Sequence, residues 1–237
     1  MNSKLVYGLA ALSAVAFSSP AYADAITLGS GDIGSSFTLN YDGYSSGTTI
    51  DGLTGATTFT LTGISGNDYT FDYSVSNTSS DPVTASRLSG FAFNTDPNIT
   101  GATSTGAFSY TTTGKNYPNG IGTVDVCFKD ANTGSCSGGG SGGLDLGTTG
   151  TGSFTLSFSQ PVSSLTLSDF YVRYQSISGV PGISSASGSG TITSSSSGGT
   201  PVPEPGMLTL FALGVLGLYF GRKRLLPLRQ ELRPAYA

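Results

Sequence analysis

The chain has 237 residues, with no histidine, two cysteines and 35 glycines. Without histidine it cannot form a Ser-His or Cys-His nucleophile pair, and two cysteines alone do not make a zinc ligand set. The formal charge of −4 hides an uneven distribution: residues 24–202 hold twelve Asp, no Glu and four basic residues (Arg87, Lys115, Lys129, Arg173), a net −8 that repels phosphate backbones and excludes nucleic acid as a partner.

At the N-terminus, Lys4 and the amino group precede an apolar run from Leu5 to Phe17. Ala21-Tyr22-Ala23 then supplies the small-x-small pattern read by a signal peptidase, so residues 1–23 are expected to be a signal peptide cut after Ala23. The mature chain would begin at Asp24 in an oxidising compartment.

Residues 24–180 read as one all-β domain. Phe37, Leu39 and Tyr41 alternate with Thr38, Asn40 and Asp42, and Phe71, Tyr73 and Val75 alternate with Asp72, Ser74 and Ser76. Phe59 with Leu61, and Phe154 with Leu156 and Phe158, repeat the pattern. Period-two runs bounded by turns such as Ser65-Gly66-Asn67-Asp68 and Asp96-Pro97-Asn98 predict an antiparallel β-sandwich with Greek-key or jelly-roll connections. A β-solenoid is the alternative, but no fixed-period repeat supports it. The apolar phase changes near Ser168, which predicts a bulge there.

Cys127 falls on the opposite face from Val124, Val126 and Phe128, beside Asp125 and Lys129. Export makes a disulfide to Cys136 the default, closing a loop of ten residues and stabilising by roughly 2–3 kcal/mol. A metal pair lacks further ligands, and the spacing does not fit a Cys-x-x-Cys redox motif. The glycines of residues 137–143 predict a mobile loop after the bridge. From Ser178 onward Gly, Ser and Thr dominate, so residues 181–201 are expected to be a flexible linker.

Catalytic carboxylate pairs find no support: the domain has no Glu, and its Asp residues fall in turns or on wet strand faces. Structural calcium is considered at Asp96 with Asn94 and Asn98, or at Asp130 with Asn132, although turn geometry accounts for the same residues. Two Asn-x-Ser/Thr sequons occur, at Asn77 and Asn98. Thr58, Thr60 and Thr62 form a hydroxyl ladder, which strand propensity also explains. Tyr44, Tyr110 and Tyr117, nearest the turns, are the candidate platforms for stacking a sugar.

The C-terminal end combines three features in order: Val202-Pro203-Glu204-Pro205, an apolar run over residues 206–221, and the basic cluster Arg222-Lys223-Arg224. The run predicts a transmembrane helix of about 24 Å, short against a hydrocarbon core of about 30 Å. The basic cluster favours the cytoplasm, which leaves residues 226–237 as a cytoplasmic tail and puts the domain outside. The segment 202–225 resembles a PEP-CTERM sorting signal. That resemblance implies an exosortase, a membrane transpeptidase, as partner, and a passage through the inner membrane to the surface or matrix of a Gram-negative bacterium. The stretch Ile26 to Gln175, with Asn94-Thr95-Asp96-Pro97-Asn98 and Val124-Asp125-Val126-Cys127-Phe128-Lys129, is similar to the cistern family of PEP-CTERM proteins, which implies no activity. The expected role is a non-enzymatic, cofactor-free component of the exopolysaccharide or biofilm layer. A carbohydrate-binding module and a permanently anchored single-pass protein are the alternatives.

Overall fold

A computed structural model describes residues 24–140 and 142–196 and the backbone of Thr200 and Pro201. The expected signal peptide with Ala21 and Ala23, the tripeptide with Val202, the apolar span and Arg222, Lys223 and Arg224 lie outside the described residues.

Strands β1 (Ile26–Gly29), β2 (Ser36–Ser45), β3 (Thr48–Ser65) and β4 (Asp68–Asn77) come first, followed by β5 (Ala85–Asp96) and β6 (Gly101–Ser104). Then come β7 (Tyr110–Tyr117), β8 (Gly122–Lys129), β9 (Leu144–Asp145) and β10 (Thr149–Ser157), and finally β11 (Ser164–Ser178), β12 (Ser185–Ser195) and β13 (Thr200–Pro201). All pairings are antiparallel, and the main path runs β6-β10-β4-β3-β2-β12-β11-β5-β8-β7. Alternating apolar and hydroxyl residues form these strands because period two puts one set inside and leaves the other to pair across the outer face.

The all-β, antiparallel expectation holds, but the two separate sheets of a sandwich are replaced by one sheet nearly closed into a barrel. The cause is β12. It lies between β11 and β2, pairing Arg173 with Ser187 on one side and Tyr44 with Ser187 on the other. The expected flexible linker is therefore corrected: residues 185–195 are a strand that joins what would otherwise be two sheets. The remaining seam, between β6 and β7, is bridged by the Thr111 hydroxyl, which donates to the Ala102 carbonyl at 2.9 Å.

Phe59 occupies the centre of the core, with the rings of Phe37, Phe91, Phe93, Phe154 and Phe170 at 5.4–6.3 Å. Phe37 and Phe154 come from its own half of the sheet, and Phe91, Phe93 and Phe170 from the opposite wall, so the sheet wraps around one aromatic core. Each buried Phe stabilises by about 1.5–3 kcal/mol. The phase change near Ser168 is a bulge, with the β11–β5 register shifting between Ser168 and Tyr171. Outside, hydroxyls pair with one another, as in Thr38–Thr58 at 2.8 Å and Ser36–Thr60 at 2.7 Å.

Candidate functional site

One stretch of the outer face is not wet. Register places Tyr44, Ser187, Arg173, Gly90, Lys129 and Tyr110 in one cross-strand row over β2, β12, β11, β5, β8 and β7. At a strand spacing of about 4.8 Å, the two cations stand roughly 10 Å apart, with only glycine between them. Both are buried: Lys129 is 1% exposed and Arg173 8%. In an acidic domain this is unexpected, because buried cations call for compensating partners.

Lys129 finds its partners on β7 and in the loop that follows it. Its ammonium donates to Thr112 Oγ1 at 2.6 Å, to the Ser135 carbonyl at 3.0 Å, and to the Thr133 carbonyl. Burial pushes its pKa down, and neighbouring Asp130 opposes that. The same loop is closed by the disulfide Cys127–Cys136, whose Cα atoms are 5.6 Å apart. As expected from the alternation, the bridge stands outside the main core. It is nevertheless buried, in a second small cluster with Ala92, Tyr117 and Val124, so Val124 joins the bridge and not the core.

The glycine-rich stretch after the bridge packs on Asp130 instead of standing free. Asp130 Oδ1 accepts from the Gly139 N–H at 2.6 Å, while Oδ2 is buried with no partner among the described residues. A Cβ on Gly142 would stand 2.4 Å from Oδ2, and one on Gly138 2.6 Å from Oδ1, so the close approach needs glycine. Burial raises the Asp130 pKa, and the Gly139 N–H opposes the rise.

Arg173 is less well served. Its Nη1 donates to the Ala186 carbonyl at 3.1 Å, and its Nε is buried without a partner. Among the described residues the ion pair is Arg87–Asp145 at 3.8 Å, which leaves Arg173 with no carboxylate. The β7–β8 hairpin covers it. Left-handed backbone at Asn119 and Gly120 turns the tip, Asn119 Nδ2 donates to the Tyr44 carbonyl, and Ser187 Oγ donates to that of Pro118, both at 3.4 Å. Tyr117 lies 5.6 Å from Tyr171, ring to ring. Its hydroxyl is buried without a partner; burial raises its pKa well above 10.0, and Arg173 opposes the rise.

The other candidates fare differently. Tyr110 is exposed and Tyr44 half-buried, but Tyr117 is buried and offers no stacking platform. Asn94, expected at a calcium site, uses its amide oxygen to accept from the Asp125 N–H and its nitrogen to donate to Asp169, both at 3.0 Å. Asp130 sits in the glycine loop, and its expected companion Asn132 is exposed. Among the described residues no cluster of three acidic or sulfur ligands forms. Asn77 is a buried hub donating to Ser86 and Leu144, whereas Asn98 is exposed. Near Asn98, Pro97, Phe158, Gln160, Pro161 and Ser163 line a neutral cleft of about 340 Å³.

The two ends of the domain meet. β13 pairs with β1 through Ile26↔Pro201 and Thr27↔Thr200, and the Asp24 carboxylate accepts from the Ile192 N–H. The segments preceding Asp24 and following Pro201 therefore leave from neighbouring strands.

Residues 201–224, directly after that pairing, match the family model described as the PEP-CTERM protein-sorting motif. No curated protein and no solved structure matches the chain. The match covers the tail and not residues 26–175, so the likeness of that stretch to the cistern family is not shown. The motif implies an exosortase-sorted extracellular protein exported through the membrane to the cell surface. At its C-terminal end, then, the chain carries the PEP-CTERM protein-sorting motif.

Proposed function

We propose that the chain is a non-enzymatic component of the exopolysaccharide or biofilm layer of a Gram-negative bacterium. A signal peptidase removes residues 1–23 after Ala23. The apolar run over residues 206–221 then holds the chain in the inner membrane as a helix, with Arg222, Lys223 and Arg224 on the cytoplasmic side. An exosortase recognises Pro203-Glu204-Pro205, cuts the chain there, and the domain passes to the surface. The observation that carries this reading is the sorting motif at residues 201–224.

A structural role is supported by how the acids are used. Asp125 Oδ2 accepts from the Thr95 N–H at 2.8 Å, Asp169 accepts from Asn94, and Asp130 is held by the glycine loop, so each fixes backbone or a neighbouring amide. Net acidity favours a hydrated matrix over anionic lipid.

The test is made in cells. Replacing Pro203 and Glu204 by alanine should leave the protein in the inner-membrane fraction and remove it from the polysaccharide layer. Deleting the gene should weaken biofilm cohesion and leave growth on simple carbon sources unchanged. A variant that still reaches the polysaccharide layer at the wild-type level would contradict the reading.

A further inference from the structure

The buried guanidinium of Arg173 has no counter-charge among the described residues. A guanidinium does not shed its proton at any pH the fold survives, so burial cannot be relieved by neutralisation. Its hydrogen bonding is one-sided: Nη1 is taken by the Ala186 carbonyl, and among the described residues Nε and Nη2 donate to nothing. The Nε–Nη2 edge is one of the forks that carboxylates engage with two parallel hydrogen bonds. The buried hydroxyl of Tyr117 also has no partner. Two donors with no acceptor, under one hairpin, make an arrangement completed by an oxyanion.

The surroundings narrow the class. Tyr44 and Tyr171 are half-buried at the rim, ring-bearing and uncharged below pH 10. Such faces suit the apolar side of a pyranose ring. The domain's net −8 disfavours multiply charged phosphates and leaves a monoanion as the acceptable ligand. Nε and the Tyr117 hydroxyl are buried, so a ligand reaches them only when the hairpin tip lifts, and that tip is held by two long hydrogen bonds.

We propose that Arg173, beneath the β7–β8 hairpin, binds the carboxylate of an acidic sugar, with Tyr117 as second donor and Tyr44 and Tyr171 against the ring. This rests on the exopolysaccharide reading and names its ligand class as uronate-bearing polysaccharide. Twelve aspartates against four basic residues would set the domain against such a polymer everywhere else, so recognition is confined to this site.

The test uses the full chain in detergent, titrated by calorimetry with galacturonate and glucuronate oligosaccharides, a neutral glucose oligosaccharide, and sodium sulfate, all at one ionic strength. Saturable binding of a uronate oligomer alone is expected. Arg173→Met should weaken it tenfold or more, Arg173→Lys less, and Tyr117→Phe by about 2- to 12-fold. Cooperative unfolding shows that each variant is folded; if Arg173→Met is not, Tyr117→Phe, which keeps the ring, carries the test. Equal binding of neutral and acidic oligomers, saturable binding of sulfate alone, no binding, or unchanged affinity in the folded variants would each overturn the proposal. Because binding is measured on the isolated chain, its failure is separate from failure of sorting, which is read in cells.

Discussion

Asp130 shows how burial shapes a single residue here. Its carboxyl pKa is raised by burial, so its contribution to stability is fully present below 3.8 and is lost as pH rises through the folded value. Near neutrality the ionised group carries a buried oxygen with no donor among the described residues. Asp130→Asn keeps an acceptor for the Gly139 N–H and removes the charge. Calorimetry should therefore find this variant more stable than the parent at pH 7, with the advantage fading as pH falls toward 3.8; the opposite trend would contradict the assignment. The bridge is the other residue-scale feature. Cys127→Ser should cost about 2–3 kcal/mol in urea unfolding and leave the main core intact, because the bridge packs in its own cluster. The pairing of Cys127 with Cys136, and its place off the core face, were legible from compartment and alternation. The burial of Lys129 and Arg173 was not, since their covers are a loop and a hairpin that period-two patterning does not describe.

Among the elements, β12 teaches most. Its sequence, Ser185-Ala186-Ser187-Gly188-Ser189-Gly190-Thr191, has the composition of a spacer, and an apolar-pattern reading finds no strand in it. The structure gives the reason for the small residues. A Cβ on Gly188 would stand 2.8 Å from Val172 Cγ2 and 3.1 Å from Tyr174, and one on Gly190 would stand 2.7 Å from Tyr41. Large side chains on β11 and β2 fill the space inside β12, so its own positions must be small. Gly188→Val should accordingly cost about 1–3 kcal/mol through overpacking, measured by chemical denaturation; an unchanged midpoint would argue that residues 185–195 are not packed. The strands with large alternating residues, β2, β4 and β10, were legible because their signal lies in their own side chains. In β12 the apolar bulk belongs to its neighbours.

For the whole molecule, β12 turns an expected sandwich into one sheet nearly closed into a barrel, and β13 returns the chain to β1 before the tail departs. Only Val202 separates the last paired residue from Pro203, so the sorting tripeptide directly follows the folded domain rather than a long free spacer. The domain's acidity and its motif fit the proposed delivery to a hydrated surface layer. Delivery by removal of the tail is the central claim. Its most direct test is the intact mass of the form recovered from the cell surface, from a chain carrying an epitope after Ala237. The account predicts a species that begins at Asp24, lacks the epitope and lacks Arg222, Lys223 and Arg224. A surface form that retains the epitope and the complete C-terminal segment would contradict it.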